Sequence, residues 1–470
     1  MRKSILILLI LLISCQKNFY LEDLRKAEKY QEELLERISN LLIEKTSLLE
    51  SNQELSNQIS QLQEDLTNSS ISLEEALELL NEYEQEITRL ENYSPIEYEE
   101  IDTFLSTPAS DAVRQVNVVV LNYIPTKDKG KTLDQSTFPF AGDNSVNMNL
   151  PIEEYKKWVL STTMRVKHGI EQGSRFRGYK NNSQPYVGIK VVKYINVYDM
   201  PKIPRDMPAV LFAQDGTEGY YPDYHTLFDS LNMETLVNEY NVKEIWFNRK
   251  SLALPESNMS SPTSGDVSNP FYGDSQYGYT NQIIPDDLPI YDKTYVVYSH
   301  WMHNGYSDIL HIRGHQFERM FDRLEANYFL WGKFKGFSNT MTSVGQERGC
   351  GTVHYPVNAT SDYQYNNSHF ILSDIEDWKP DGTGQQTQVN NSNWIKNYII
   401  PTTMPTSTYK SETSRNVIGN DPQGGWMIYW YQSFPGYQNG LSYNGHTLKN
   451  WWDTIFDWDY HFQNDKKLYQ

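Results

Sequence analysis

The 470-residue sequence has only two cysteines and no excess of positive charge. Two cysteines cannot form a disulfide framework. Lysine and arginine number 41 against 60 aspartates and glutamates, which gives a net charge of −19. Nucleic-acid binding needs clustered lysine and arginine side chains to neutralise phosphates. A mean hydropathy of −0.63 excludes a chain that crosses a membrane many times. The composition therefore excludes a disulfide-rich scaffold and a polytopic membrane protein, and argues against nucleic acid as a partner.

The N-terminal hydrophobic run is too short to cross a membrane. Residues 5–13 are apolar and follow Arg2 and Lys3, whereas a transmembrane helix needs about 20 apolar residues. The run ends in Leu12-Ile13-Ser14-Cys15, which resembles the lipobox of bacterial lipoprotein signal peptides. The resemblance implies a signal peptide at 1–14 and a lipidated N-terminus at 15–19. Acyl chains such as palmitate on Cys15 would then hold the chain on a membrane. The alternative is an ordinary secretory signal with a chance cysteine.

The residue after Cys15 bears on the location that this resemblance implies. It is Gln16 rather than the aspartate that retains lipoproteins of enteric bacteria in the inner membrane. We therefore expect an extracytoplasmic lipoprotein of the outer membrane or cell surface.

Proline and glycine are both absent before Pro95, and residues 20–93 carry an unbroken heptad pattern. Five consecutive d positions are leucine: Leu34, Leu41, Leu48, Leu55 and Leu62. A sustained apolar seam of this kind predicts a coiled-coil stalk that joins two or three copies of the chain as a homo-oligomer. The alternative is a single solvated amphipathic helix. A turn at 67–70, with Ser72 and Glu75 as a capping box, would instead fold the segment into a helical hairpin.

The remainder is predicted to be a linker at 94–110 and a large extracytoplasmic α/β domain at 111–470. β-branched runs predict strands at 113–124, 186–198, 242–248 and 294–300. Helical patterns alternate with them at 152–172, 224–240 and 307–328. This alternation predicts a mostly parallel, doubly wound sheet, or a (β/α)₈ barrel if the tail contains further units. After residue 330 the regularity is lost, which predicts a loop-rich C-terminal part.

One group of possible metal ligands lies on the last of these helices. His311, His315 and Glu318 share a helical face because they are four and three residues apart. Two imidazoles and a carboxylate are suitable ligands for zinc or another divalent metal and leave a position open for water. Two alternatives are a helix whose histidines bond to backbone or carboxylates, and an acid–base role without metal.

Three further residues are candidates for catalysis. His303 follows the fourth predicted strand, and ligands of open α/β sheets bind beyond the carboxyl ends of strands. Glu256 follows the third strand and is a candidate for proton transfer. His354 lies in a glycine-flanked segment that we expect to form a loop. Each position is individually consistent with a purely structural role.

The last 50 residues are rich in tryptophan. We consider Trp426, Trp430, Trp451 and Trp452 as glycan-binding residues, because aromatic faces stack on sugar rings. Core packing is the alternative for the same side chains. Segments such as CGTVHYPVNATSDY and NWWDTIFDWD loosely resemble segments of secreted bacterial and fungal proteins, a resemblance that implies no particular activity.

Three functions are compatible with these patterns. The first is an extracytoplasmic hydrolase, possibly metal-dependent, that acts on a glycan or another polymer. The second is a non-catalytic glycan-binding or adhesion module displayed on the stalk. The third is a structural tether. A hydrolase requires His311, His315 and Glu318 to converge with His354 or Glu256, whereas a binding module requires exposed tryptophans.

Overall fold

The computed structural model describes residues 21–68, 73–91, 93–126, 132–133, 151–199, 222–249, 257–263, 265–268, 288–301, 305–324, 329–336, 349–395, 422–464 and 467–470. The chain divides into two compact units, Met1–Ser94 and Pro95–Gln470. We call them the helical unit and the sheet unit. Cys15, His303 and Glu256 lie outside the described residues, as does the predicted signal peptide.

The helical unit contains α1 (Leu21–Asn68) and α2 (Leu73–Glu91). Among the seam positions, Leu48, Leu55, Ile59 and Leu62 are partly buried within the single chain, while most of their neighbours are exposed. Residues 69–72, where a turn is the alternative to a straight rod, lie outside the described residues, so both geometries remain predictions. Within the described part of the chain, no helix is sufficiently long and apolar to span a bilayer.

Part of the predicted linker at 94–110 forms regular secondary structure. Residues 96–98 form β1 (Ile96–Tyr98), which pairs antiparallel with β3 (Val187–Val197). Residues 103–106 form the short helix α3 (Thr103–Ser106), whose first turn is capped by the Asp102 carboxylate. A short segment without apolar alternation shows no strand pattern in its sequence, yet the backbone of residues 96–98 completes one edge of the sheet.

A seven-stranded sheet forms the centre of the second unit, with the order β1-β3-β2-β4-β7-β5-β6. Strands β2 (Arg114–Tyr123), β3 (Val187–Val197), β4 (Val242–Arg249) and β7 (Tyr295–Trp301) are parallel. All four coincide with predicted strands. The unit is thus a mixed α/β structure with a mostly parallel sheet, as expected.

Two antiparallel strands beyond β7 were not predicted. They are β5 (Ser257–Ser261) and β6 (Gly265–Ser268), and β5 pairs with β7. Three of the five residues of β5 are serine, so the strand lacks the β-branched run that marks the parallel strands. Its pairing with β7 comes from tertiary context rather than from propensity.

Helices cover both faces of the sheet. On one face, α5 (Tyr224–Ser230) and α6 (Met233–Asn238) join an apolar cluster with alternate residues of the strands, such as Leu121 and Phe247. On the other face lie α4 (Ile152–Gly173) and α7 (Gly305–Leu324). Helix α7 coincides with the predicted helix at 307–328, of which residues 325–328 lie outside the described residues, and α8 (Phe329–Lys335) follows it.

The face under α4 and α7 contains buried polar groups. A hydrogen-bond chain crosses the carboxyl ends of the parallel strands: Asn248 donates to Asn122 over 2.8 Å, and Asn122 donates to Asn196 over 3.0 Å. His300 Nδ1 lies 3.0 Å from the Asn248 side-chain oxygen and donates to it. These residues are neighbours in the sheet register, so each side chain provides a hydrogen-bond partner for the next. The polar groups can therefore be buried.

The loop-rich tail contains more helix than expected. It contributes β8 (Ile371–Ser373), a 3-10 turn at Ile375–Asp377, β9 (Thr387–Val389), α9 (Asn391–Ile395), α10 (Pro422–Gln432), β10 (Ser442–Tyr443), β11 (His446–Thr447), α11 (Trp451–Phe456) and α12 (Trp458–Asn464). Helix α10 packs on both α4 and α7, which adds a further helical layer over that face.

An ion pair joins α7 to the sheet. Arg313 is 0% exposed; its guanidinium donates to the carboxylate of Glu244 and lies 4.1 Å from the ring centroid of Tyr298. The other oxygen of Glu244 accepts from the indole of Trp246 over 2.7 Å. A carboxylate enclosed in this way depends on its cation, because water cannot replace it.

We therefore expect Arg313→Met to lower the free energy of unfolding by about 3–5 kcal/mol, since it leaves Glu244 charged and unpaired in the core. The double variant Arg313→Met/Glu244→Gln should recover much of that loss. Urea unfolding measures both. Arg319→Met is the matched control: Arg319 lies on the same helix, is partly exposed and pairs with Asp322 at 3.8 Å, so its loss should cost less than about 1 kcal/mol. Equal destabilisation in the single and double variants would contradict the dependence of Glu244 on Arg313.

Candidate metal centre

Helix α7 places His311 and His315 on the side that faces away from the sheet. Arg313, which bonds to Glu244 on the sheet, lies two residues from each histidine. At about 3.6 residues per turn, a separation of two residues turns the side chain toward the opposite side of the helix. Both histidines are nevertheless buried, because the segment around residues 350–365 packs over them.

Two glycines allow this segment to approach α7. A Cβ atom on Gly314 would lie only 2.6 Å from the side chain of Val353, so the helix needs its smallest residue at that contact. Gly351 has φ +75°, and a Cβ there would lie 2.4 Å from the carbonyl oxygen of Tyr355. This tight turn, which a side chain would disrupt, brings His354 to the helix.

Three imidazoles converge in the resulting site. The Nε2 atom of His315 lies 3.0 Å from Nε2 of His311 and 3.0 Å from Nε2 of His354. Ligand atoms of the three residues all lie within 4.8 Å of one another. A tetrahedral ion with bonds of about 2.0–2.1 Å separates its nitrogen ligands by about 3.3 Å. The three nitrogens are thus spaced closely enough to bind one small divalent ion.

The opposite nitrogen of each ring contacts an oxygen. His315 Nδ1 lies 3.1 Å from Glu318, and His354 Nδ1 lies 3.0 Å from Asp362. His311 Nδ1 lies 3.0 Å from the Tyr365 hydroxyl, which itself donates to the carbonyl oxygen of Val353. Carboxylates accept, and the tyrosine hydroxyl has already used its proton, so each Nδ1 carries the hydrogen. The three Nε2 lone pairs therefore point at one another.

This arrangement matches the outer layer of protein metal sites. Histidine ligands ordinarily donate their second nitrogen to a carboxylate, a carbonyl or a hydroxyl, which fixes the ring and increases its basicity as a ligand. The Nε2 lone pair of His315 lies 3.0 Å from those of His311 and His354, and such lone pairs repel one another unless a cation lies between them. The donor set therefore fits a divalent metal held by three protein ligands.

The predicted ligand set needs one correction. Glu318 was expected beside His311 and His315, but its two oxygens contact His315 Nδ1 and the backbone N–H of Val353. It is an orienting residue in the described geometry, and the third imidazole belongs to His354, which was expected to act in catalysis. A periodic face on one helix could not reveal a partner from a loop 39 residues away.

Burial affects the titration of these groups. It lowers the pKa of His315 well below its ordinary value. Burial also lowers the pKa of His354, against the opposing effects of the Asp362 and Glu318 carboxylates. The pKa of Glu318 is raised, again chiefly by burial. Both histidines therefore favour the neutral form that a metal requires.

Residues near 362–365 form the outer side of the site. The ring centroid of Tyr363 lies 4.2 Å from that of His354 and 5.5 Å from that of His311. Tyr363 is 53% exposed, and the side chain of Asp362 is 48% exposed. The roles of Tyr363 and Tyr365 were not predicted. The segment DYQY closely follows the glycine-flanked HYPVN segment, but nothing in their spacing indicates contact with α7.

The predicted glycan-binding tryptophans are all internal. Trp426, Trp430, Trp451 and Trp452 are each 0% exposed, so their faces are not available to a ligand in this structure. They pack among aromatic neighbours, in agreement with the alternative that these side chains belong to the core. Two of them still affect the site: the indole of Trp426 donates to the carbonyl of Thr352, and that of Trp430 donates to the carbonyl of Gly351.

No protein-family model, curated protein or solved structure matches the chain. The function of the centre must therefore be inferred from its donors and their geometry.

We expect the purified chain to bind one zinc ion, and His311→Ala and His354→Ala to lose it, because each variant removes one of three donors. Glu318→Gln should keep the site but weaken its affinity by about 10–100-fold, as loss of an orienting group does. Elemental mass spectrometry and zinc titration measure these effects. His369→Ala, an exposed histidine from the same part of the chain, is the control and should bind normally. Equal zinc content in wild type and His354→Ala would rule out the centre.

Proposed function

We propose that the sheet unit is a metal-dependent hydrolase whose divalent ion is bound by His311, His315 and His354. The observation that carries the proposal is the convergence of three Nε2 atoms, each ring fixed by an oxygen at its other nitrogen. Sites with three protein ligands are typical of catalytic zinc, because they leave a position for water or substrate, whereas structural zinc has four protein ligands.

The bound ion would supply a Lewis acid and lower the pKa of water at its open position. The protein contributes the geometry. Glu318 and Asp362 hold the Nδ1 protons of His315 and His354, which keeps both Nε2 atoms as lone-pair donors. Glu318 and Tyr365 also bond to the N–H and the C=O of Val353, so the residue before His354 is held from both sides. Glu256 and His303 remain the predicted groups for proton transfer.

The substrate class is proposed to be a glycan or another extracellular polymer. The alternative function, a non-catalytic glycan-binding or adhesion module, relied on tryptophans at the surface. The four tryptophans named for that role are buried, so the hydrolase has the stronger support.

The hydrolase predicts turnover that depends on the metal. We expect activity on at least one member of a panel of polysaccharides, peptides and 4-nitrophenyl esters. A chelator should abolish this activity and added zinc should restore it. His354→Ala should lower kcat/KM at least about 100-fold, since the ion contributes several kcal/mol to the transition state. His369→Ala should retain full activity. Turnover that survives both chelation and His354→Ala would overturn the proposal.

The proposal includes a membrane anchor and a stalk. Lipidated Cys15 would attach the chain to the outer membrane or cell surface, and residues 20–93 would form a homo-oligomeric coiled coil. The leucine seam supports the second point, because a single helix would leave Leu48, Leu55 and Leu62 partly in contact with water. The enzyme would then be displayed in two or three copies, at a distance from the membrane.

Two measurements on one preparation test these features: metabolic labelling with a fatty-acid analogue tests the anchor, and light scattering tests the stalk. In a bacterial host, wild type should incorporate the label and Cys15→Ser should not. Cys350→Ser is the matched control and should remain labelled, because Cys350 is the only other cysteine and is buried. Light scattering of the chain in detergent should give the mass of two or three copies. Label on Cys15→Ser excludes the anchor, and a single-copy mass excludes the coiled coil.

A further inference from the structure

Tyr363 combines two features that are unusual for a tyrosine beside buried groups. Its backbone has φ +58°, in the left-handed region that bulky residues rarely adopt. It is 53% exposed although its ring lies beside the buried His311 and the partly buried His354. Strained residues of this kind concentrate at functional sites, where the surrounding structure holds them in place.

The surrounding structure does hold Tyr363 in place. Its backbone N–H donates to the carbonyl oxygen of His354 over 3.1 Å, and its own carbonyl accepts from Tyr365 over 3.0 Å. Both neighbours in these bonds belong to the metal centre. The conformation of Tyr363 is therefore coupled to the groups that set the geometry of the three imidazoles.

The ring lies where a bound ligand would reach it. One face packs near the imidazoles of His354 and His311, with the Tyr363 and His311 planes only 20° apart. The exposure must then belong to the other face and the edge of the ring. With its centroid 4.2 Å from that of His354 and 5.5 Å from that of His311, the ring borders the site, so that a substituent on an atom bound there would extend past it.

We propose that Tyr363 is the substrate platform of the centre, against which a cyclic group next to the scissile bond packs. The substrate would thus present a flat ring face, either the C–H face of a sugar or an aromatic ring. This inference rests on the proposed hydrolase, and it adds a specificity-determining residue that does not bind the metal.

Hydroxamates that differ in one substituent distinguish the contribution of the Tyr363 ring to binding from that of the metal. Acetohydroxamate reports the open position on the zinc-loaded chain. Benzohydroxamate adds an aromatic ring, and cyclohexanecarbohydroxamate adds a saturated ring like that of a sugar. We expect at least one ring compound to bind about three- to tenfold more tightly than acetohydroxamate in calorimetric titrations, which is the range for aromatic packing. The preferred ring distinguishes an aromatic from a sugar-like substrate.

Two substitutions then test the tyrosine itself. Tyr363→Phe keeps the ring and should keep the preference. Tyr363→Asn should lose it, while zinc content and acetohydroxamate affinity stay at wild-type values. Asparagine tolerates the left-handed conformation, so we expect the thermal midpoint of this variant to be unchanged or higher.

The outcomes separate the two proposals. Absence of acetohydroxamate binding would show that the ion has no open position for a ligand. That result would overturn both the hydrolase and the platform. Normal acetohydroxamate binding without any ring preference would overturn the platform alone. A ring preference that persists in Tyr363→Asn would also overturn the platform, since other residues would then contact the ring of the ligand. Loss of zinc in Tyr363→Asn would show a structural role instead.

Discussion

The guanidinium of Arg313 lies between α7 and the sheet, bonded to Glu244 and stacked on Tyr298. This contact fixes which side of α7 faces the strands. Because Arg313 is held inward, His311 and His315 must project from the opposite side of the helix. The chain segment around His354 then covers that side, with α10 packed alongside. The orientation of one buried ion pair thus decides where the candidate metal centre forms.

The centre in turn depends on packing that is distant in sequence. The indoles of Trp426 and Trp430 bond to the turn before His354, and Gly314 leaves room for Val353 against the helix. Residues first considered for glycan binding therefore contribute from the core, by holding the segment that carries the third imidazole. The proposed hydrolase is consistent with a buried site that has a half-exposed rim, whereas adhesion would require an open aromatic surface.

The periodicity of the sequence was sufficient to predict the parallel strands and the proximity of His311 to His315. β-branched runs form buried strands, and residues four apart on a helix are neighbours whatever the surroundings. The same reasoning failed for β1 and β5, whose sequences are too short or too polar to show a strand pattern. It also made Glu318 a ligand, because position on a helical face does not tell which atom of a neighbour a carboxylate will meet.

The sequence by itself determined the alternation of strands and helices, the shared helical face of His311 and His315, and the heptad seam, since each follows from local spacing along the chain. Only the tertiary structure decided that His354 completes the imidazole triad, that Asp362, Glu318 and Tyr365 fix its rings, and that the tryptophans are internal. The contacts of His354 with His315, of Tyr365 with His311 and of Trp426 with Thr352 join residues far apart in the chain. Local periodicity carries no information about such contacts, because they are set by close packing around a buried helix.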